Sequence, residues 1–468
     1  VVDERQGGAA AEISAPGHSE PAIKEWVRSE PPGTAQLGKD RGRYSAFWQR
    51  GAELLARLPK KPQRSEAEAA IAAAILGRAR ESRERFLAAH AVAVYDALTD
   101  ERSRFLRLEE LVFAAAEAVP GLTPTRAEIE AETGLKQGDK EGLEVDQGIF
   151  LARVLADAAC GRHLCHAMLL ARPEAVELLP RFHEEGALDL GPARLRRHGK
   201  AVHLTGSNPR FLNAEDATTL TQKEIAVDVA ILDAESEIAV IRGGTVEHPK
   251  YKGRHVFGAG INLTRLYRGE IPFLWYLERD LGYVHKLFRG VALPDWLPDD
   301  INGHGVEKPW IAAVDAFAIG GHCQIVLAVD YVLAADDAYM TLPARKEGII
   351  PGAANLRMPR FVGDRITRQA IQYERRFECD SPEGRLICDE VVPAAEMDAA
   401  IARVVEGLTN SGQVGAIGNR RALRVTQEPF DLFRSYFSVY AREQAYCHFS
   451  PALISNLERF WKAQERKV

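Results

Sequence analysis

A chain of 468 residues with 46% hydrophobic content has material for two or three domains with ordinary cores. Its formal charge of −6, from 60 basic against 66 acidic residues, excludes a global basic footprint for nucleic acid or an anionic membrane. No apolar run approaches the ~18 residues of a membrane span, and the first stretch is polar and Pro/Gly-containing, so a cytoplasmic protein without membrane or nucleic-acid partners is expected. The chain does not begin with Met, which suggests a processed or trimmed start. Cys160, Cys165, Cys323, Cys379, Cys388 and Cys447 are scattered without a disulfide framework, and reduced thiols are expected.

In chain order, residues 1–40 carry Gly-Gly, Pro-Gly and Pro-Pro-Gly among many charges and are expected to form a flexible arm. Ser65-x-x-Glu68 is a capping box that opens a long Ala-rich helix to about Leu98, with Ile71 and Ile75 on one face. A second helix is expected from Glu101 to Val119, then a loop from Gly134 to Gly148, a long helix from Ile149 to Leu170 and a shorter one from Pro173. Residues 41–190 thus read as a mostly α-helical N-terminal domain. Within it Cys160, His163, Cys165 and His166 suggest a metal site, but on a helix Cys165 points away from the other three, so no metal is expected.

Near Leu190 the apolar period becomes two-fold. Arg194–Leu204 reads as a hairpin turning at His198-Gly199. It is followed by a helix over Thr219–Ala234, a strand at Ile238–Ile241 and another at Arg254–Phe257, which runs into Gly258-Ala259-Gly260. Beyond a helical insertion come a buried strand at Trp310–Val314, a turn ending in Gly320-Gly321, a helix, and strands at Tyr331–Ala335 and Tyr339–Leu342. Strands alternating with helices predict parallel pairing with crossover helices. The turns at Gly258–Ile261 and Ile319–Gly321 should lie at one edge of the sheet, where unpaired N–H groups can hold an anionic oxygen. A lone Gly-Gly pair would equally let a helix start close to a strand; the second turn is what points to a site. From Pro393 the pattern is helical again, with Phe430, Phe433, Tyr436, Phe437 and Tyr440 expected to form helix core.

The middle of the chain, roughly Ala193 to Val392, resembles the crotonases, the enoyl-CoA hydratase/isomerase superfamily. The likeness rests on Leu212-Asn213 with Ala217 and Leu220, on Phe257-Gly-Ala-Gly-Ile-Asn-Leu263, on Lys308-Pro-Trp-Ile-Ala-Ala-Val with Ala318-Ile-Gly-Gly-His-Cys-Gln324 and Asp330, and on Gly348-Ile-Ile-Pro-Gly-Ala353. It implies an α/β fold, a crotonase-type spiral of ββα repeats over 191–395, preceded by the helical N-terminal domain and followed by C-terminal helices over 396–468 that serve oligomerisation, as a dimer of trimers. It also implies an acyl-CoA substrate whose thioester oxygen is held by the N–H groups of Ile261 and Gly321. Hydratases of the superfamily carry glutamates at the positions of Gln324 and Ala344; here neither is acidic, which disfavours hydration unless Glu347 supplies an acid.

The run His304–Gln324, the run Pro343–Arg357 and the helical N-terminal half resemble one branch of the superfamily, the cofactor-independent dioxygenases of glycopeptide-antibiotic pathways that act on 3,5-dihydroxyphenylacetyl-CoA. That branch uses no metal or cofactor, and makes the 2-oxo acid 3,5-dihydroxyphenylglyoxylate and free coenzyme A with O2. The resemblance implies roles for Gln324 at a substrate or peroxide oxygen, for Arg279 and Glu215 at the aromatic ring and its hydroxyls, for Gly320 beside the bound carbonyl, and for Ile349 and Ile319 in a dry oxygen pocket. Bland readings stand beside these: an amide satisfied within the fold for Gln324, a surface salt-bridge arginine, a solvated loop acid, and core isoleucines. Cys323 reads as a buried structural thiol. Another crotonase reaction, hydrolysis or carbon–carbon cleavage, and a non-catalytic acyl-CoA-binding subunit are the alternatives.

Overall fold

The computed structural model describes residues 20–295 and 305–466. Residues 1–19 of the expected arm, and His304 of the quoted run, lie outside them. Two helices occupy much of the rest of the arm, Glu20–Arg28 and the start of Leu37–Ala56. Their apolar residues outweigh the local Pro and Gly, because Trp26 stacks on Phe47 at 4.8 Å and donates Nε1–H to its carbonyl at 2.8 Å.

Grouping by proximity divides the chain into two units, each with its own core. The first comprises the described residues through Leu164 together with Phe437–Phe449; the second comprises Cys165–Tyr436 and the residues from Ser450. In the helical unit the Ser65–Glu68 capping box closes as expected and opens helix Glu66–Leu98. The helix expected from Glu101 begins only at Leu108, because Asp100, Glu101 and Arg102 all adopt left-handed backbone in the preceding turn. The helix expected over Ile149–Leu170 is two, Val145–Ala156 and Ala158–Leu169. Asp157 breaks it: its Oδ1 accepts from the N–H groups of Ala159 and Cys160, each at 2.9 Å, and caps the second helix. His163 of the suspected metal cluster meets the Tyr95 hydroxyl at 2.7 Å and stacks on Phe105. Among the described residues no group of three or more His, Cys, Asp or Glu could hold a metal ion.

The second unit is built on a sheet of seven strands, β1 (Ala187–Asp189), β2 (Ala193–His198), β3 (Ala201–Gly206), β4 (Ile238–Gly243), β5 (Trp310–Val314), β7 (Tyr331–Ala335) and β10 (Glu390–Val392), paired in that order. Three short strands, β6 (Phe317–Ile319), β8 (Tyr339–Thr341) and β9 (Phe377–Glu378), form a second sheet. Successive strand pairs β5/β6 and β7/β8 place one strand in each sheet and precede helical segments, which is the repeating ββα turn. The hairpin between β2 and β3 turns at Gly199-Lys200, one residue later than expected, with Gly199 at φ +55°. From β3 to β10 the large sheet is parallel, and every residue of β5 is buried, as a strand covered on both faces requires.

The strand expected at Arg254–Phe257 is not one. It forms an isolated bridge between Thr245 and His255, and Phe257 donates instead to the Asp315 carbonyl at 3.1 Å. Gly243 explains this, since its backbone packs directly on the Val256 carbonyl, closer than regular pairing allows. Phe430, Phe433, Phe437 and Tyr440 are buried, as the stripe's spacing predicts, whereas Tyr436 is half-buried and its hydroxyl donates to the Gly352 carbonyl. All six cysteines are free. No helix among the described residues is long and apolar enough to cross a membrane.

Candidate active site

The loop Ser207–Thr219 supplies the first element. Leu212 and Asn213 both adopt left-handed backbone, and the Asn213 amide donates to the carbonyls of Gly244 and Val256, each at 2.8 Å. This fixes Glu215 against the first glycine turn: Glu215 N–H donates to the Gly260 carbonyl and Asn262 N–H to the Glu215 carbonyl, both at 2.7 Å. Ile261, between the two pinned residues, is left with an N–H that meets no acceptor among the described residues.

The second turn follows β6. Gly320 sits at φ +53°, which only glycine adopts readily, and Gly321 opens helix Gly321–Val326 with an N–H that also meets no acceptor among the described residues. The turns touch: a Cβ on Gly260 would come within 2.9 Å of the Ile319 carbonyl and 3.2 Å of the Gly321 nitrogen. His322 joins them, its Nδ1 accepting from Gly260 N–H at 3.0 Å. Burial holds this imidazole down to about 3, so it is neutral and its proton sits on Nε2. Two N–H donors with no acceptor among the described residues, Ile261 buried and Gly321 half-buried, on turns that touch, can bind an oxygen that gains charge.

Beside them lies a buried charge network. Arg279, on helix Leu274–Leu281, donates Nε–H to Glu215 Oε2 at 2.7 Å, Nη1–H to Asp280 Oδ1 at 2.8 Å and Gln324 Oε1 at 2.9 Å, and Nη2–H to the Gly321 carbonyl at 2.6 Å. Glu215 Oε1 accepts from Lys223 at 2.9 Å and from the Tyr283 hydroxyl. Burial alone would raise the Glu215 carboxyl, but the charges of Arg279 and then Lys223 outweigh it and hold the group well below its usual range. The same Glu215 raises Arg279 against its own burial. The surface reading of Arg279 and the solvated reading of Glu215 are therefore both displaced: they are 2% and 1% exposed.

The structure thus brings together Ile261, Gly320, Gly321, Gln324, Arg279 and Glu215. It does not bring the two isoleucines into the polar network. Ile319 packs on Val246, Val256, Ala316 and Phe317, and Ile349 is half-buried after Gly348. Glu347 does not replace the missing acids, because its facing charge is Glu374 and it takes no part in the network. Burial, then Glu374, pushes its carboxyl up to about 7. Its folded value exceeds the ordinary 4.5, so its stabilising protonated form is complete below pH 4.5 and lost as the pH rises through 7. Glu347→Gln should accordingly be more stable than the parent by roughly 3 kcal/mol at pH 8 and equal to it at pH 4, measured by urea denaturation at the two pH values.

Sequence reasoning missed Lys223, Asp280, Tyr283, His322 and Gly352. His322 lies inside the Gly-Gly-His-Cys-Gln run, and Asp280 is the neighbour of Arg279; either position was open to notice. Lys223 and Tyr283 reach Glu215 from separate helices and leave no spacing signal. A Cβ on Gly352 would collide with both Asp280 Oδ2 and Gln324 Oε1, and its carbonyl accepts from Tyr436, so a side chain here would displace the network.

Comparison with known proteins gives four likenesses. The sequence profile of the family described as Enoyl-CoA hydratase/isomerase matches residues 303–422. The (3,5-dihydroxyphenyl)acetyl-CoA 1,2-dioxygenase of Amycolatopsis orientalis is 46% identical over 410 residues, 87% of this chain and 93% of the relative. The carnitinyl-CoA dehydratase of Salmonella typhi is 28% identical over 239 residues, 50% of this chain and 80% of that one. Among solved structures, an enoyl-CoA hydratase from Mycobacterium avium subsp. paratuberculosis is 20% identical and superposes with a TM-score of 0.48 over 60% of this chain and 99% of that one.

Proposed function

Because the chain belongs to the enoyl-CoA hydratase/isomerase (crotonase) family, we propose that it is a dioxygenase that converts (3,5-dihydroxyphenyl)acetyl-CoA and O2 to 3,5-dihydroxyphenylglyoxylate and free coenzyme A, without metal or organic cofactor. The observation that carries this reading is the pair of unpaired N–H groups at Ile261 and Gly321 beside a neutral Gln324, in a chain 46% identical to the dioxygenase of Amycolatopsis orientalis. The two N–H groups form the oxyanion hole and stabilise the thioester enolate as its α proton leaves. The electron-rich ring and enolate reduce O2 directly, and O2 adds at the α carbon. The peroxide then attacks the thioester carbonyl and coenzyme A departs as the thiolate. The O–O bond breaks as the second α hydrogen leaves, giving the 2-oxo acid.

Arg279 and Glu215 orient the dihydroxyphenyl ring, Gln324 donates its amide N–H to a peroxide oxygen, and Gly320 leaves room for the carbonyl. Ile349 lines the dry space for O2, while Ile319, committed to its apolar cluster, serves through the backbone of the turn. A cytoplasmic homo-hexamer working on an intermediate of antibiotic biosynthesis completes the proposal, from the resemblance. Turnover under 18O2 tests it. One labelled oxygen is expected in the carboxylate and one in the 2-oxo group when product is quenched at once, whereas label from H2 18O and none from the gas would identify a hydrolase.

A further inference from the structure

Removing the α proton needs a base close to the oxyanion donors, and the groups around Gly321 differ sharply in their fitness for it. Gln324 is a neutral amide. His322 already uses Nδ1 to accept from Gly260, and its other nitrogen carries the proton. Tyr283 donates its hydroxyl hydrogen bond to Glu215 and is itself raised well above its usual value by burial. Glu215 has Oε2 within 3.3 Å of where a Cβ on Gly321 would stand, but both its oxygens are taken, by Arg279 on one side and by Lys223 and Tyr283 on the other. Three donors on one carboxylate make a weak base.

Asp280 is different. Only Oδ1 is held, by Arg279 Nη1 at 2.8 Å, while Oδ2 accepts no hydrogen bond from the described residues. That free oxygen and Gln324 Oε1 both border the point where a Cβ on Gly352 would collide with them, so Oδ2 lies beside Gln324, three residues from the Gly321 donor on the same short helix. Burial raises this carboxyl above its ordinary value; Arg279 and Arg357 oppose the rise and Glu215 adds to it, while Tyr283 and Tyr436 also feel its charge. A buried carboxylate with one unused oxygen, poised upward, is the better proton acceptor of the two acids.

We propose that Asp280 Oδ2 is the acceptor of the substrate's α proton. The α C–H bond breaks, its electron pair enters the enolate whose oxygen rests on Ile261 and Gly321 N–H, and the proton passes to Oδ2; no electron acceptor is needed for this step. Arg279 then has two functions, tying Glu215 in place through Nε and holding Asp280 by a single oxygen so that the other stays available. The proposal rests on the thioester reading above and deepens it by naming the base.

Exchange of the α hydrogens in D2O under nitrogen, followed by mass spectrometry of (3,5-dihydroxyphenyl)acetyl-CoA, isolates the step from the chemistry of O2. The parent protein should incorporate deuterium, and Asp280→Asn, which keeps an oxygen for Arg279, should lose incorporation by roughly 100-fold or more while binding the thioester, by calorimetry under nitrogen, as the parent does. Asp280→Glu should restore part of the exchange, because a carboxylate returns. Asp280→Asn exchanging at the parent rate, or Asp280→Asn and Asp280→Glu losing it alike while both bind, would overturn the role of Asp280 and leave the dioxygenase reading untouched. Exchange by the parent without any O2 uptake in air would do the reverse. No exchange by the parent would overturn the enolate and its base together.

Discussion

Gly321→Pro is expected to cut kcat by roughly 10²–10³ relative to the parent, the usual cost of removing one oxyanion donor. Proline suits the first position of a helix, and Gly321 holds that position in Gly321–Val326, so the helix itself should survive. The substitution removes the N–H and also adds bulk, because a Cβ there stands 3.0 Å from Arg279 Nη2 and 3.3 Å from Glu215 Oε2. Gly321→Ala separates the two effects. It adds the Cβ but keeps the donor, and should retain most of kcat with a raised KM as Arg279 shifts by a few tenths of an ångström. Equal losses of kcat for the two variants would show that crowding, not the donor, sets the rate.

Arg279→Met is expected to destabilise the fold by about 3–5 kcal/mol, the cost of removing one partner from a buried ion pair, and to abolish measurable turnover. Four acceptors lose their donor at once: Glu215 Oε2, Asp280 Oδ1, Gln324 Oε1 and the Gly321 carbonyl. Lys223 and Tyr283 still cover Glu215 Oε1, so the greater damage falls on Asp280, which loses its one hydrogen-bond donor and keeps only the charge of Arg357 against the repulsion of Glu215. Arg279→Lys keeps the charge and recovers part of the stability. It cannot span acceptors on three sides as a planar fork does, so activity should stay low. The shift in urea midpoint at unchanged slope measures the first effect, and steady-state rates the second.

The turns that hold the site were legible because backbone function leaves glycines in the sequence. Gly258, Gly260, Gly320 and Gly321 mark the two turns, and the apolar run before Gly320 gives its strand. The buried network was legible only in part. Arg279 and Glu215 came from a resemblance, and nothing in their spacing shows that residues 64 apart meet at 2.7 Å. Helix boundaries failed where one side chain decides them. Asp157 caps a helix inside an apolar-periodic run, and three left-handed residues after Thr99 delay the next one, neither of which periodicity detects. The strand expected at Arg254–Phe257 failed for the opposite reason: its residues suit a strand, but Gly243 draws the neighbouring backbone too close for a ladder.

The central claim is that this oxyanion pair serves an oxygenation. Protein dialysed against chelator and incubated with (3,5-dihydroxyphenyl)acetyl-CoA should consume one O2 for each thiol released, with an oxygen electrode and a thiol reagent read on the same sample. Thiol release at the same rate under nitrogen would contradict it.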